Sequence, residues 1–159
     1  MKTLFMSCLS EKKRKRNDLF RDKDDLMTSS RNIVPVSLVQ FPIAWEDRES
    51  NYRRVLSLLE RKPPEKGGII ALPELFATGT TRRPGAFAEP MPGGRTSDFL
   101  ASVARTYSSF VAGSVIAKNA GARPANTAAV FSPEGRMLCR YDKVHLIPLH
   151  GEHLAFSGG

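Results

Sequence analysis

Apolar positions switch between two periods along this chain, and the switches mark its elements. "IVPVSLVQF", residues 33–41, is dense in β-branched and apolar residues and predicts a buried strand that Pro42 ends. In "EDRESNYRRVLSLLERK" the apolar residues Tyr52, Val55, Leu56 and Leu59 fall at i, i+3, i+4 and i+7, one stripe of an amphipathic helix. Glu46, Asp47 and Glu49 sit near its start and Arg61 and Lys62 at its end, the arrangement a helix dipole favours. "PPEKGG" breaks it. "GIIALPE" is a continuous apolar run, as in a strand covered on both faces. A loop rich in Gly, Pro and Thr follows, from Leu75 to Arg95. Leu100, Val103, Ala104 and Tyr107 then share one face of a helix over about 96–107, with Thr96 or Ser97 as its cap. "SFVAGSVIA" is a third strand. "TAAVFSPEGRMLCRYDK" reads as a hairpin, with strands Thr127–Phe131 and Arg136–Tyr141 joined through Ser132, Pro133, Glu134 and Gly135. Strand, helix, strand, helix, strand and hairpin make an α/β protein with helices packed on a mostly β layer.

Composition and charge narrow the class. With 41% hydrophobic and 25% charged residues, the chain has a globular composition. No apolar run approaches the roughly 18 residues that would span a bilayer. Residues 1–32 show no sustained period and hold nine of the 24 Lys and Arg against five of the 16 Asp and Glu, hence +4 of the net +8. That basic stretch is read as a disordered, solvated tail. Contact with nucleic acid or an acidic surface is the alternative, but the run lacks interleaved aromatics and none is expected. "MKTLFMSCLSEKKRKR" places its positive charges after the apolar stretch, the reverse of a secretory signal. The two cysteines, Cys8 and Cys139, form no disulfide framework or zinc pattern. A cytoplasmic protein is expected.

Three charged residues are placed for chemistry. Glu74 follows an apolar strand in "ALPELF", and strand ends in α/β proteins face the crevice where functional groups collect. Burial there would shed water and raise its pKa toward that of a general base; a solvated loop glutamate is the plain alternative. Lys143 also follows a strand, flanked by Val144, Leu146 and Ile147. A partly buried lysine needs a partner, for which Glu74 is a candidate, and its ammonium could stabilise an oxyanion; otherwise it is a surface lysine. Glu152, in "HGEHLAF", could position Lys143 or a substrate amide. His145, His150 and His153 lie close together, but their spacing is irregular and no Cys or Asp completes a set, so ordinary hydrogen-bonding roles are expected and no metal. Cys139 reads as a packed strand residue sharing a face with Met137 and Tyr141.

Together these segments resemble the nitrilase, or carbon–nitrogen hydrolase, superfamily. "VSLVQFP" resembles its first strand, and "GGIIALPELFATG" the segment that carries its catalytic glutamate, here Glu74. "ANTAAVFSPEGRMLCRYDKVHL" is similar to the segment whose lysine is catalytic, here Lys143, and "GEHLAFSGG" to a loop carrying a second functional glutamate, here Glu152. The resemblance, from about Ile33 to Gly159, implies part of a four-layer α-β-β-α sandwich and dimers or larger assemblies. It implies hydrolysis of non-peptide C–N bonds through a cysteine thiolate, with no metal or organic cofactor. The style of "DKVHL…GEH" resembles ω-amidases, which act on monoamides of dicarboxylates. In the family the nucleophilic cysteine follows the lysine, and no cysteine follows Lys143 here. The expectation is therefore the N-terminal portion of a truncated domain, residues 33–159, inactive alone, that would act on a small-molecule amide only when completed. A non-catalytic module that associates with a full-length homologue is the alternative.

Overall fold

A computed structural model of the protein describes residues 33–119, 123–148 and 151–159. The expected tail over 1–32, with Cys8, lies outside the described residues, and so does His150. The chain divides into units Met1–Ile33 and Val34–Gly159, and the fold is that of the second. Its elements are β1 (Val36–Leu38), α1 (Arg48–Arg61), β2 (Ile69–Ala71), α2 (Pro84–Phe87), α3 (Arg95–Tyr107), β3 (Phe110–Ala117), β4 (Ala125–Phe131), β5 (Met137–Asp142) and α4 (Glu152–Ala155). The strands form one five-stranded sheet in the order β1-β2-β3-β4-β5. The first three run parallel and the last two antiparallel. The expected α/β class is what the chain adopts: a helix layer on one face of a sheet, two of the four layers of the sandwich.

Helix α1 begins where Asp47 accepts a hydrogen bond from the Ser50 amide at 3.0 Å. It buries Tyr52, Val55 and Leu59 against the sheet. Leu56, expected on that stripe, is 36% exposed, while Asn51 is fully buried. The contact face is centred one residue earlier because Asn51 ties two loops together: its amide donates to Ala44 O at 2.8 Å and Ala77 O at 2.9 Å, and its carbonyl accepts from Ala44 N at 2.7 Å. Helix α3 packs Leu100, Val103 and Ala104 on β3 as its period predicts. Gly113 of β3 permits the approach, since a Cβ there would lie 2.8 Å from a Leu100 methyl. Neither Thr96 nor Ser97 caps this helix from outside. It starts one residue earlier, and the Ser97 hydroxyl turns back to accept from Gly94 N at 3.0 Å. Tyr52 stacks on Phe99, centroids 4.2 Å apart, sealing α1 to α3.

Three strand expectations need correction. β1 spans only Val36–Leu38, and Val36 and Leu38 are 55% and 80% exposed rather than buried. β2 is also three residues long; Ile70 is fully buried, but its neighbours Ile69 and Ala71 are not. The reason is the same for both. Helices cover one face of the sheet, and within the described residues nothing equivalent covers the other. Cys139 and Met137, expected to share a face, are separated by a β-bulge at Val130/Phe131. Met137 is set opposite core Phe131, and Cys139 opposite Val130 on the open face. The expected hairpin turn is present, with Gly135 at φ +78 and its amide bonded to Ser132 O at 2.7 Å.

The segment expected as loop, Leu75–Arg95, contains α2 and is pinned at several points. The main chain of Glu89 bridges to β3, donating to Ile116 O at 3.0 Å and accepting from Lys118 N at 2.9 Å. Its buried carboxylate accepts from Thr96 N at 2.7 Å, at the start of α3, and faces Arg48 at 3.5 Å.

Candidate active site

The strand directions bring distant residues to one end of the sheet. β2 and β3 run parallel; β2 ends beside Ala112, and the chain after it continues along β3 in the same direction, Leu75 N donating to the Ser114 hydroxyl. β4 runs back from that end and β5 returns to it. Glu74 therefore leaves β2, Asn126 opens β4 and Lys143 leaves β5 at the same edge. Glu152 joins them as the first residue of α4, not as a loop residue.

A small apolar cluster fixes these positions from beneath. Leu75, Ile116 and Phe156 are buried against one another. Leu75 adjoins Glu74 in a left-handed conformation (φ 47), and its amide donates to the Ser114 hydroxyl of β3. Ile116 stands opposite Asn126 in the ladder. Phe156 closes α4, its amide bonded to Glu152 O at 2.8 Å. The chain after α4 bridges back to β4, Ser157 N donating to Pro124 O at 2.9 Å.

Lys143 is the centre of the polar group. Its Nζ donates to Glu74 Oε1 at 2.9 Å and to Glu152 Oε1 at 3.1 Å, and lies 3.0 Å from Glu152 Oε2. Asn126 Nδ2 donates to the same two Oε1 atoms, at 2.6 and 3.1 Å. Glu152 Oε2 also accepts from Ile147 N at 2.9 Å. Burial works against the charge on Glu152, but the Ile147 amide, Asn126 and Lys143 outweigh it and hold its pKa below the usual carboxylate value. Burial likewise works against the ammonium of Lys143, but the hydrogen bonds it donates to Glu74 and Glu152 prevail and its pKa is raised. At neutral pH the group thus contains a fixed cation and a buried anion. Such an arrangement can neutralise negative charge that develops beside the ammonium. Glu74 adds a carboxylate that solvent can reach.

That exposure corrects one expectation. The Glu74 side chain is 57% exposed, not withdrawn from water, because only the strand side of its turn is packed. The pairing of Lys143 with Glu74 is as expected, with the Lys143 side chain 23% exposed. His145 and His153 are exposed and outside the group. Cys139 is half-buried in mid-strand. Asn126 was not singled out from the sequence. The signal was available, as a lone amide side chain in the otherwise small and apolar run "ANTAAVF".

Known proteins share this arrangement of elements. A family model described as carbon–nitrogen hydrolase matches residues 35–157. The chain is 34% identical over 116 residues to omega-amidase NIT2-A of Xenopus laevis, a match covering 72% of this chain and 41% of that protein. It is 32% identical over 126 residues to omega-amidase YafV of Yersinia enterocolitica, covering 79% and 47% respectively. Among solved structures, a CN-hydrolase superfamily protein from Xanthomonas campestris superposes with a TM-score of 0.68 at 28% identity, over 79% of this chain and 46% of that one. The chain spans less than half the length of these relatives.

Proposed function

Because the chain belongs to the carbon–nitrogen hydrolase family, we propose that its polar group is the base and oxyanion part of an amidase site. Glu74 is the general base and Lys143 the oxyanion stabiliser. Glu152 holds Lys143 and orients the substrate amide. The nucleophile is a cysteine thiol that this sequence does not supply after Lys143. The observation that carries the reading is the ammonium of Lys143 held between Glu74 and Glu152 at about 3 Å.

The chemistry follows from the charges. Glu74, open to solvent, takes the thiol proton as sulfur attacks the amide carbon. The carbonyl oxygen becomes an oxyanion, and the ammonium of Lys143 meets it with no new charge to import. Glu74 returns the proton to the departing amine. It then takes one from the water that cleaves the thioester and passes it to the departing sulfur, so the acid is released and the thiol and the Glu74 carboxylate are restored. Glu152 stays ionised throughout, since its hydrogen bonds favour the anion. The likeness to omega-amidases supports a short dicarboxylate monoamide as substrate.

The test is release of ammonia from such a monoamide, by the 159-residue chain and by a longer chain carrying a cysteine-bearing segment like the second half of the omega-amidases. The longer chain turns over and the shorter does not. In the longer chain, Lys143→Met and Glu74→Gln each lower kcat by about 100-fold or more. Turnover by the 159-residue chain alone would overturn the assignment of the nucleophile.

A second reading, association with a full-length homologue without catalysis, is favoured by the open apolar sheet face around Val36, Leu38 and Tyr141. Co-elution of the two proteins from a sizing column, lost on Leu38→Lys, is its expected result.

A further inference from the structure

We propose that Asn126 is the positioning residue of this site, setting the two carboxylates and the lysine from one rigid point on β4. The catalytic meaning of that role rests on the proposed function; the positioning itself does not.

An asparagine amide nitrogen carries two N–H groups. Asn126 directs one to Glu74 Oε1 and the other to Glu152 Oε1. These are the oxygens that accept from Lys143 Nζ. Two donors and two acceptors thus close a ring in which each carboxylate oxygen is held from both sides. One donor is charged and the other neutral, so the ring spaces two anions while adding a single positive charge. A second lysine at position 126 would cancel the remaining negative charge; an apolar residue there would leave the anions to Lys143 alone.

The backbone of the same residue holds the third member, since Asn126 O accepts from Lys143 N at 2.9 Å. Of the four residues, only Asn126 lies within a strand. Glu74 is in a turn, Lys143 follows β5 and Glu152 opens a short helix. Asn126 is 3% exposed, flanked by the buried Ala125 and Thr127, and paired with buried Ile116. Its position is therefore set by the ladder, and the other three are referred to it.

Carboxyl titration by NMR in the full 159-residue chain, labelled with 13C-glutamate and 13C-aspartate, tests this without requiring turnover. Lys143 is the charged group facing Glu152, and Glu74 shares that ammonium. In Asn126→Leu, Glu152 should bind its proton about tenfold more tightly, a shift of about one pH unit. Glu134, in the hairpin turn at the end of β4 opposite Asn126, should not move. Thr127→Val removes the adjacent, partly buried hydrogen bond to Asp142 and should leave Glu152 where it is. Should Asn126→Leu fail to fold, Asn126→Asp keeps the shape and exchanges the donors for an acceptor, and the same upward shift is expected. A Glu152 midpoint unchanged in a folded variant overturns the proposal, as does an equal shift in Thr127→Val. Absence of amide hydrolysis by the longer chain would defeat the proposed function and leave this titration result standing.

Discussion

Lys143 and Glu152 compensate each other's charge in a site that water reaches poorly. The Glu152 side chain is 3% exposed, and removing the ammonium leaves its charge buried with two amide donors. Lys143→Met should therefore destabilise the chain by about 3 kcal/mol at neutral pH. The double variant Lys143→Met/Glu152→Gln should recover most of that loss in urea unfolding. The pH dependence has a definite sign. The folded-state pKa of Glu152 lies below 4.5, so its stabilisation is complete above the unfolded value and is lost as pH falls through the folded one. Lys143 is raised above 10.5, so its contribution is complete below that value and is lost as pH rises through the folded one. Glu152→Gln should flatten the acid limb of a stability profile and leave neutral-to-mildly-alkaline slopes unchanged; an unaltered acid limb would show that Glu152 titrates alike in both states. Glu74 and Lys143 were legible because charged residues after apolar strand runs are conspicuous, and Glu152 because "GEHLAFSGG" resembles a family loop. Asn126 was not, because an uncharged amide gains significance only from the partners folding brings to it.

Helix α4 and the turn after β2 are held by buried anchors rather than by their own length. A four-residue helix has too few internal hydrogen bonds to persist alone. Phe156, fully buried against Leu75 and Ile116, keeps α4 in place. Phe156→Ala should cost about 3–5 kcal/mol, and hydrogen exchange should show protection lost first across residues 151–157. Protection lost uniformly over the whole sheet would show that the anchor is not local. Asn51 does the corresponding work for the turn carrying Glu74, through three hydrogen bonds, the one to Ala77 O fully buried. Asn51→Leu should cost about 3 kcal/mol by leaving those backbone groups unpaired, measured as a shift in the urea midpoint. Helices α1 and α3 were legible from their 3.6-residue stripes. Helices α2 and α4 were not, since one turn is too short to show a period. The strands were over-read at β1 and β2 because an apolar run reports the capacity for burial, not the number of residues that find a ladder partner.

At the scale of the molecule, the sheet has, among the described residues, one packed and one open face. Val36, Leu38 and Tyr141 are exposed there at 55, 80 and 49%, beside half-buried Ile69, Phe110 and Val130. An apolar sheet face of this kind seeks another layer. The 159-residue chain should self-associate at micromolar concentration, and Leu38→Lys with Tyr141→Lys should shift its sedimentation toward monomer. A monodisperse monomer with a cooperative melt before any substitution would count against this. Periodicity and strand-end charge are local properties of a chain, so the α/β class, the two long helices, the hairpin, Glu74 and Lys143 could be read from residue order alone. The covered sheet face, the reach of each strand and the neutral asparagine that closes the ring around Lys143 emerge only on folding. These depend on pairing between distant residues, as in Asn126 and Glu74, 52 positions apart, and no local pattern encodes such pairing.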